Sequence, residues 1–216
     1  MMSRSLFLAL SLALSAGCAR HEPAPVPKAH VTVAVPLPVP TADPLVLGRG
    51  DSTRTAPSLY DLPIPLVDDH GVARNLESFR GHPLLISMFY GSCASACPLI
   101  TSDLKRIEKQ LPASARAGVR ILMVSFDPER DTPAVLARLK EERGVDGTRW
   151  TFASASDDAA RDLAGLLGIR YRRLDNGAYF HSSAIVLLDA EGRPQARLDG
   201  LGNDAAPIVS ALTLRN

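Results

Sequence analysis

Long apolar runs alternate with amphipathic segments in the second half of the chain. Residues 84–90 and 119–126 are almost continuously apolar, which predicts two strands buried on both faces of a sheet. Between these runs, apolar residues recur at helical spacing from residue 100 to residue 111, and Pro112 predicts the end of that helix. The pattern therefore indicates a strand, a helix and a second strand in succession.

Capping residues mark the elements that follow the second strand. Thr132 and Pro133 predict a helix start, since threonine caps a helix N-terminus and proline fits the first helical position. We expect this helix to end near Gly144, because glycine is common just beyond a helix C-terminus. A short strand over residues 150–153 and a helix over residues 157–167 come next. Strands and helices therefore continue to alternate.

Two predicted β-hairpins lie at the ends of this pattern. Each has two short apolar segments around a polar turn that contains Asp and Gly. The segments are residues 64–67 and 72–76 in the first hairpin, and residues 183–188 and 195–198 in the second. Residues 207–214 predict a C-terminal helix, whereas residues 171–181 have no clear period. The order predicts an α/β fold with a central mixed β-sheet flanked by helices and an extra N-terminal hairpin.

The first 17 residues resemble a bacterial lipoprotein signal peptide. Arg4 supplies a positive charge, residues 6–14 are apolar but too few to span a bilayer, and small residues precede Cys18. We expect cleavage before Cys18 and a lipid on this residue, which predicts an exported lipoprotein anchored to the membrane and facing the periplasm. A conventional signal peptide with an incidental cysteine is the alternative.

Residues 18–58 form a predicted proline-rich linker between the lipid anchor and the domain. Ten of the 17 prolines lie between Pro23 and Pro65, and every second residue over 35–40 is proline. Proline lacks the amide hydrogen that a sheet needs, so this stretch predicts an extended polyproline II spacer or disordered filler. The remaining residues, 59–216, form one predicted domain of ordinary size.

Composition excludes one class of partner. The chain has 24 Lys and Arg against 23 Asp and Glu, a net charge of +1. Proteins that bind nucleic acids carry a strongly basic surface, so no nucleic acid is expected as a partner. Hydrophobic residues make up 46% of the chain, which is enough to build a buried core.

Two of the three cysteines, Cys93 and Cys97, lie between the first long strand and its helix. A helix N-terminus stabilises a thiolate, so we expect thiol pKa values below the usual value of about 8.5. If both residues are helical, their β-carbons lie roughly 5–6 Å apart on one face, which suits two sulfurs on one soft ion. A disulfide prefers about 3.8 Å and would require a distorted first turn.

The dithiol therefore permits redox or metal chemistry. A purely structural disulfide is a third interpretation, but such a short loop gains little chain entropy from a cross-link. A dithiol placed between a strand and a helix also makes the predicted fold thioredoxin-like.

Three motifs occur in a fixed order along the domain. They are Phe-Tyr-Gly-Ser-Cys-x-x-x-Cys-Pro over residues 89–98, Asp-Pro-Glu-Arg-Asp-Thr-Pro over residues 127–133, and His181-Ser182 before a strand. In this combination, residues 59–216 resemble the Sco/SenC family of copper-binding, thioredoxin-like proteins. The resemblance covers essentially the whole predicted domain.

The resemblance implies a copper site, for Cu(I) or Cu(II), with Cys93, Cys97 and His181 as ligands. It also implies a metallochaperone that delivers copper to the binuclear centre of cytochrome c oxidase or reduces the cysteines of that centre. The implied partners are the copper-containing oxidase subunit, other copper chaperones and thiol reductants. Soft thiolates agree with Cu(I), whereas zinc more often takes a fourth ligand, which the spacing does not supply.

Two other functions use the same residues. An enzyme-like thiol:disulfide oxidoreductase would use the redox-active pair Cys93 and Cys97 without a metal. A copper or redox sensor would signal through a partner. Copper delivery by a protein that is not an enzyme is the leading hypothesis.

The sequence departs from the family pattern beside two of the implied ligands. Phe180 replaces an aspartate that precedes the histidine in much of the family, which removes a carboxylate that could orient the imidazole. We therefore expect a copper affinity that differs from the family norm. Ala94 and Ala96 replace bulkier residues or proline inside the dithiol motif, which should loosen the loop without altering the ligands.

Other polar and aromatic residues are assigned structural roles. Asp127 and Asp131 are expected to shape their loop rather than bind metal, and Tyr90 and Trp150 to pack in the core. Four histidines in linker or turn contexts are expected to be solvated: His21, His30, His70 and His82.

Overall fold

The computed structural model describes residues 57–93 and 96–214. The predicted signal peptide, Cys18 and the linker through residue 56 lie outside the described residues, as does Ala94. The assignment of these segments therefore stays a prediction. Within the ranges that are described, no helix is both long enough and apolar enough to cross a membrane.

Nine strands in the described ranges form two sheets. In chain order they are β1 (Leu66–Asp68), β2 (Ala73–Arg74), β3 (Leu84–Phe89), β4 (Arg120–Ser125), β5 (Trp150–Ala155), β6 (Tyr171–Arg173), β7 (Tyr179–His181), β8 (Ala184–Leu188) and β9 (Pro194–Asp199). Seven of them make one sheet in the order β2-β1-β5-β4-β3-β8-β9, while β6 and β7 pair only with each other. All six residues of β3 are buried, as a central strand covered on both faces requires.

The strand directions identify the fold. Strands β3, β4 and β5 run parallel, whereas β8 is antiparallel to β3 and forms a hairpin with β9. The order β4-β3-β8-β9 is the four-stranded core of a thioredoxin-like fold. The predicted N-terminal hairpin, β1 and β2, joins the sheet through an antiparallel pairing of β1 with β5. The predicted fold class is therefore confirmed.

The part of the domain that the structure describes also contains five α-helices: α1 (Ala96–Gln110), α2 (Ala113–Gly118), α3 (Pro133–Glu142), α4 (Asp157–Leu166) and α5 (Ala206–Thr213). The predicted start of α3 is confirmed, since the Thr132 side chain accepts a hydrogen bond from the Val135 amide. Helix α2 was not predicted, because its six residues are too few to show a helical period. Its N-cap residue, Pro112, makes no side-chain capping bond.

Trp150 lies at the start of β5, and its side chain is 1% exposed, as expected of a core aromatic. Its indole Nε1 donates a hydrogen bond to Glu108 Oε2 of α1 at 2.9 Å. Arg149 Nη1 lies 2.7 Å from Glu108 Oε1, so a cation neutralises this buried carboxylate.

The β6–β7 hairpin occupies the segment that showed no clear sequence period. Its register places Tyr171 opposite His181 and Arg173 opposite Tyr179. The Tyr171 ring stacks on Phe126, the residue directly after β4, with 4.6 Å between centroids, and the Tyr179 ring meets the same phenyl ring edge-on at 5.0 Å. Aromatic packing therefore fixes this short hairpin, which forms a separate two-stranded sheet in the described part of the chain.

Candidate metal centre

The two cysteines lie where β3 passes into α1. Cys93 precedes the described start of the helix and donates its backbone N–H to the Tyr90 carbonyl at 3.2 Å. Cys97 is the second residue of α1. Both side chains are buried thiols, not a disulfide. The pair is therefore not a helical i, i+4 pair, because Cys93 lies outside the helix.

Hydrogen bonds to and from sulfur tie the pair together. The Cys97 backbone N–H donates to Cys93 Sγ at 3.4 Å, as a helix N-terminal amide can. The Cys97 thiol in turn donates to the Tyr90 carbonyl, also at 3.4 Å. Both thiols are thus held at one end of β3.

The expected low pKa of Cys97 is wrong for the metal-free protein. Burial raises the pKa of this thiol well above its ordinary value, and the nearby Cys93 side chain raises it further. The Tyr90 carbonyl contact and the Arg143 charge lower the pKa but do not outweigh the loss of solvation. Cys97 is therefore a protonated thiol at neutral pH until a metal or a base takes the proton.

His181 approaches the thiols from β7. Its ring packs edge-on against Phe126 and Tyr90, with centroid distances of 5.3 Å and 5.8 Å. Nδ1 lies 3.1 Å from the Ser182 carbonyl oxygen, which can only accept a hydrogen bond. This contact favours the tautomer with hydrogen on Nδ1, which leaves the Nε2 lone pair available to a metal.

The Ser182 carbonyl also supplies the orienting contact that we expected the chain to lack at Phe180. The Phe180 side chain is 65% exposed and lies opposite Arg172 in the register of the hairpin. Successive side chains of a strand point to opposite faces, so residue 180 faces away from the imidazole of residue 181. A backbone carbonyl orients this histidine instead.

Cys93, Cys97 and His181 bring one ligand atom each to within 4.8 Å of one another. Bonds of about 2.3 Å from a metal to thiolate sulfur would set the atoms of a trigonal site about 4 Å apart, so a small inward shift is enough. The two sulfurs and one nitrogen form the donor set that soft or borderline ions prefer. The donor set and its spacing therefore fit a copper ion.

No other group of three potential ligands comes together in the described part of the chain. His70 is exposed, with a side-chain accessibility of 69%, and neither it nor His82 belongs to the group. His21 and His30 lie outside the described residues.

Asp131 fixes the turn that precedes Cys93. Its Oδ2 accepts hydrogen bonds from the Gly91 amide at 2.7 Å and from the Ser125 hydroxyl. Burial raises the pKa of this carboxyl, although both hydrogen bonds lower it. A β-carbon at Gly91 would lie within 3.0 Å of Asp131 and Leu139, so only glycine fits this close approach.

Sequence reasoning assigned Tyr90 to the core but missed its role beside the ligands. Its ring is buried, its carbonyl accepts from the Cys97 thiol, and its hydroxyl lies 3.5 Å from the Tyr179 carbonyl. The signal for this role was its position directly after a buried strand and three residues before Cys93. Tyr179 carried no comparable signal, because its three-residue strand shows no period.

Comparisons with known proteins agree with this architecture. The sequence profile of the SCO1/SenC family matches residues 53–213. The SCO1 protein homolog of Bacillus subtilis (strain 168) is 25% identical over 161 residues, which cover 71% of this chain and 83% of that protein. A Stutzerimonas stutzeri protein described as copper-binding is 30% identical, over 64% of this chain and 71% of that protein.

Among solved structures, yeast Sco1 with copper bound has the same fold. The two structures superpose with a TM-score of 0.59 at 22% sequence identity, covering 71% of this chain and 86% of yeast Sco1. The profile match alone spans three quarters of the sequence. The chain therefore belongs to the SCO1/SenC family.

Proposed function

We propose that this protein is a copper metallochaperone, in which Cys93, Cys97 and His181 hold one copper ion. The cargo would pass to the binuclear copper centre of cytochrome c oxidase, on the copper-containing subunit of that enzyme. The observation that carries the proposal is the convergence of two thiols and one imidazole within 4.8 Å. Membership of the SCO1/SenC family supports the same conclusion, as do the copper-binding description of the Stutzerimonas stutzeri relative and the copper bound in the yeast Sco1 structure.

The donor set favours Cu(I) as the cargo. Thiolates are soft ligands that prefer Cu(I), and imidazole adds a borderline donor. A structural zinc site would need a fourth ligand, and none joins the group in the described ranges. Three donors leave one side of the ion open to thiolates of an acceptor, which suits an ion that must be handed on.

Loading requires the protein to release protons. The Cys97 proton, retained because of burial, must leave as sulfur binds the ion, so binding weakens as the pH falls. The neutral His181 ring can bind through Nε2 without losing a proton, since its hydrogen stays on Nδ1, which donates it to the Ser182 carbonyl. The chain therefore supplies two anionic sulfurs and one neutral nitrogen.

The proposal extends to the location of the protein. Residues 1–17 and Cys18 support an exported, lipid-anchored protein that faces the periplasm, with residues 19–58 as a spacer. Other copper chaperones or thiol reductants would then load or reduce the site, because copper binding requires free thiolates in an oxidising compartment.

The test is the amount of copper bound by the reduced protein. We expect one Cu(I) per chain for the wild type under anaerobic conditions, and at least tenfold weaker binding for His181→Ala, which keeps both thiols but loses the third donor. His70→Ala is the matched control, because His70 is exposed and outside the ligand group. A wild-type protein that holds no stoichiometric copper would refute the proposal.

A second function, thiol:disulfide exchange, is favoured by one contact. The Cys97 amide donates to Cys93 Sγ, which stabilises a thiolate on Cys93, the residue outside the helix. The same pair could therefore reduce the cysteines of the acceptor before copper arrives. Attack by Cys93 would form a mixed disulfide, and Cys97 would release the reduced acceptor as the chaperone becomes oxidised.

Exchange and copper binding are separable by mutation. We expect the reduced protein to reduce a model protein disulfide at a rate that survives His181→Ala but is lost in Cys93→Ala, because only the attacking thiolate is essential. Stopped-flow measurement of the released thiols gives the rate. Equal rates for wild type and Cys93→Ala would rule out this second function.

A further inference from the structure

The candidate site is assembled from two structurally separate pieces. Cys93 and Cys97 lie at the end of the main sheet, whereas His181 lies on the β6–β7 hairpin, which forms its own two-stranded sheet. Contacts between the two pieces are needed to keep their ligand atoms close to one another. The loop between β4 and α3, residues 126–132, contacts both.

One side of this loop holds the dithiol turn. Asp131, which is 1% exposed, accepts from the Gly91 amide and from the Ser125 hydroxyl, as described above. The bond to Gly91 connects the loop to the turn immediately before Cys93, and the bond to Ser125 connects it to the end of β4.

The other side of the loop holds the hairpin through Arg130. Its Nε donates to Asp127 Oδ2, and its Nη2 donates to the Gly177 carbonyl at the tip of the hairpin. The guanidinium carbon also lies 5.9 Å from the centroid of the Tyr179 ring. Tyr179 is two residues before His181 on the same face of β7, so Arg130 contacts the strand that carries the ligand.

The geometry of Arg130 is hard to replace. Asp127 is 1% exposed, and its Oδ1 has no hydrogen-bond partner among the described atoms, so Arg130 is the cation that compensates this buried carboxylate. A guanidinium is planar and presents several donors in fixed directions, so one side chain can hold Asp127 and Gly177 at once. A lysine ammonium could keep the ion pair but could not reproduce both directed bonds.

We propose that Arg130 is a positioning residue for His181. Arg130 fixes the hairpin to the loop that also holds the dithiol turn in place. This inference rests on the proposed copper site. Arg130 would act only through the histidine, so that its loss weakens copper binding by freeing the hairpin. Residues that orient a metal ligand typically change affinity by 10- to 100-fold.

The experiment is a double-mutant cycle of Cu(I) affinity, measured by competition with a chromophoric chelator. We expect about tenfold weaker binding for Arg130→Gln in the wild-type background and no further weakening when Arg130→Gln is added to His181→Ala. Arg130→Lys is a second variant that keeps a positive charge beside Asp127, so that it is less exposed to misfolding. It should weaken Cu(I) binding by a factor similar to that of Arg130→Gln. Arg173→Gln is the matched control, since Arg173 joins the same hairpin and loop through an exposed pair with Glu129 at 3.5 Å.

The outcomes separate the two proposals. Loss of affinity by the same factor in both backgrounds would mean that Arg130 does not act through His181 and would overturn the inference. A wild-type affinity that His181→Ala leaves unchanged would overturn the proposed site itself.

Amide hydrogen exchange of the metal-free protein gives a second, copper-independent readout. In Arg130→Gln we expect faster exchange at the hairpin amides, such as Leu174 N–H, which donates to the Ala178 carbonyl, with α1 unchanged. Unchanged exchange in the hairpin would also overturn the inference.

Discussion

Replacing Cys97 with serine is expected to abolish stoichiometric copper binding while leaving the fold intact. A serine hydroxyl is a hard donor that stays protonated near neutral pH, so it cannot replace a thiolate on a soft ion. The hydroxyl can still donate to the Tyr90 carbonyl, which now accepts from the thiol, so the buried position remains satisfied. Atomic absorption measures the copper bound per chain and so checks the loss of binding. Thermal unfolding followed by circular dichroism checks that the fold is retained.

Ser92→Ala is the matched control for the cysteine variant. Ser92 is exposed, lies in the same turn and is not a member of the ligand group, so this change should alter neither copper content nor stability. One copper per chain with unchanged affinity in Cys97→Ser would contradict the assignment of Cys97 as a ligand.

The second large effect is expected at Asp131, where alanine removes the acceptor of two hydrogen bonds. Loss of Oδ2 would leave the Gly91 amide and the buried Ser125 hydroxyl without this partner, at a cost of roughly 2–4 kcal/mol in the free energy of unfolding. Copper affinity should fall as well, because the turn before Cys93 is no longer fixed. Urea denaturation and Cu(I) competition measure the two effects.

Asp131→Asn is the control that separates hydrogen bonding from charge. Both bonds end on one oxygen, so the amide oxygen of asparagine can accept both. Burial raises the pKa of Asp131 above its ordinary value of 3.8, so the folded protein keeps this proton after the unfolded chain has lost it. The contribution of Asp131 to stability is therefore full below pH 3.8 and declines as the pH rises through the folded pKa.

The asparagine variant should consequently gain stability relative to the wild type over that same interval of pH. Denaturation midpoints measured at several pH values test this. A difference between the two proteins that does not change with pH, or that changes in the opposite direction, would refute the role given to burial.

The main sheet was predictable because its strands are long and apolar. Strand β3 and the β8–β9 hairpin follow directly from local patterns, and α3 starts where Thr132 and Pro133 indicate. The β6–β7 hairpin did not follow, because each of its strands has only three residues, which are too few to show a period. Its position depends on packing against Phe126, a contact that no local pattern encodes.

The candidate site shows the same division. Spacing alone indicated a dithiol at a helix start, whereas His181 entered only through the family resemblance, since a single histidine has no periodicity. The protonated state of Cys97 was missed because the helix N-terminus is local and visible in the sequence, while burial depends on the whole fold. The hydrogen bond that the Gly91 amide donates to Asp131 joins residues 40 positions apart and could not be deduced from either motif.

The burial of Trp150 provides an optical probe of the fold that is independent of the copper site. It is the only tryptophan in the chain, and it lies in β5 beside the start of β4, whereas the cysteines lie beyond the other end of the parallel strands. Its fluorescence should be emitted at short wavelength in the folded protein and shift to the red on unfolding. A variant that loses copper but keeps the short-wavelength emission has therefore lost its ligands and not its structure.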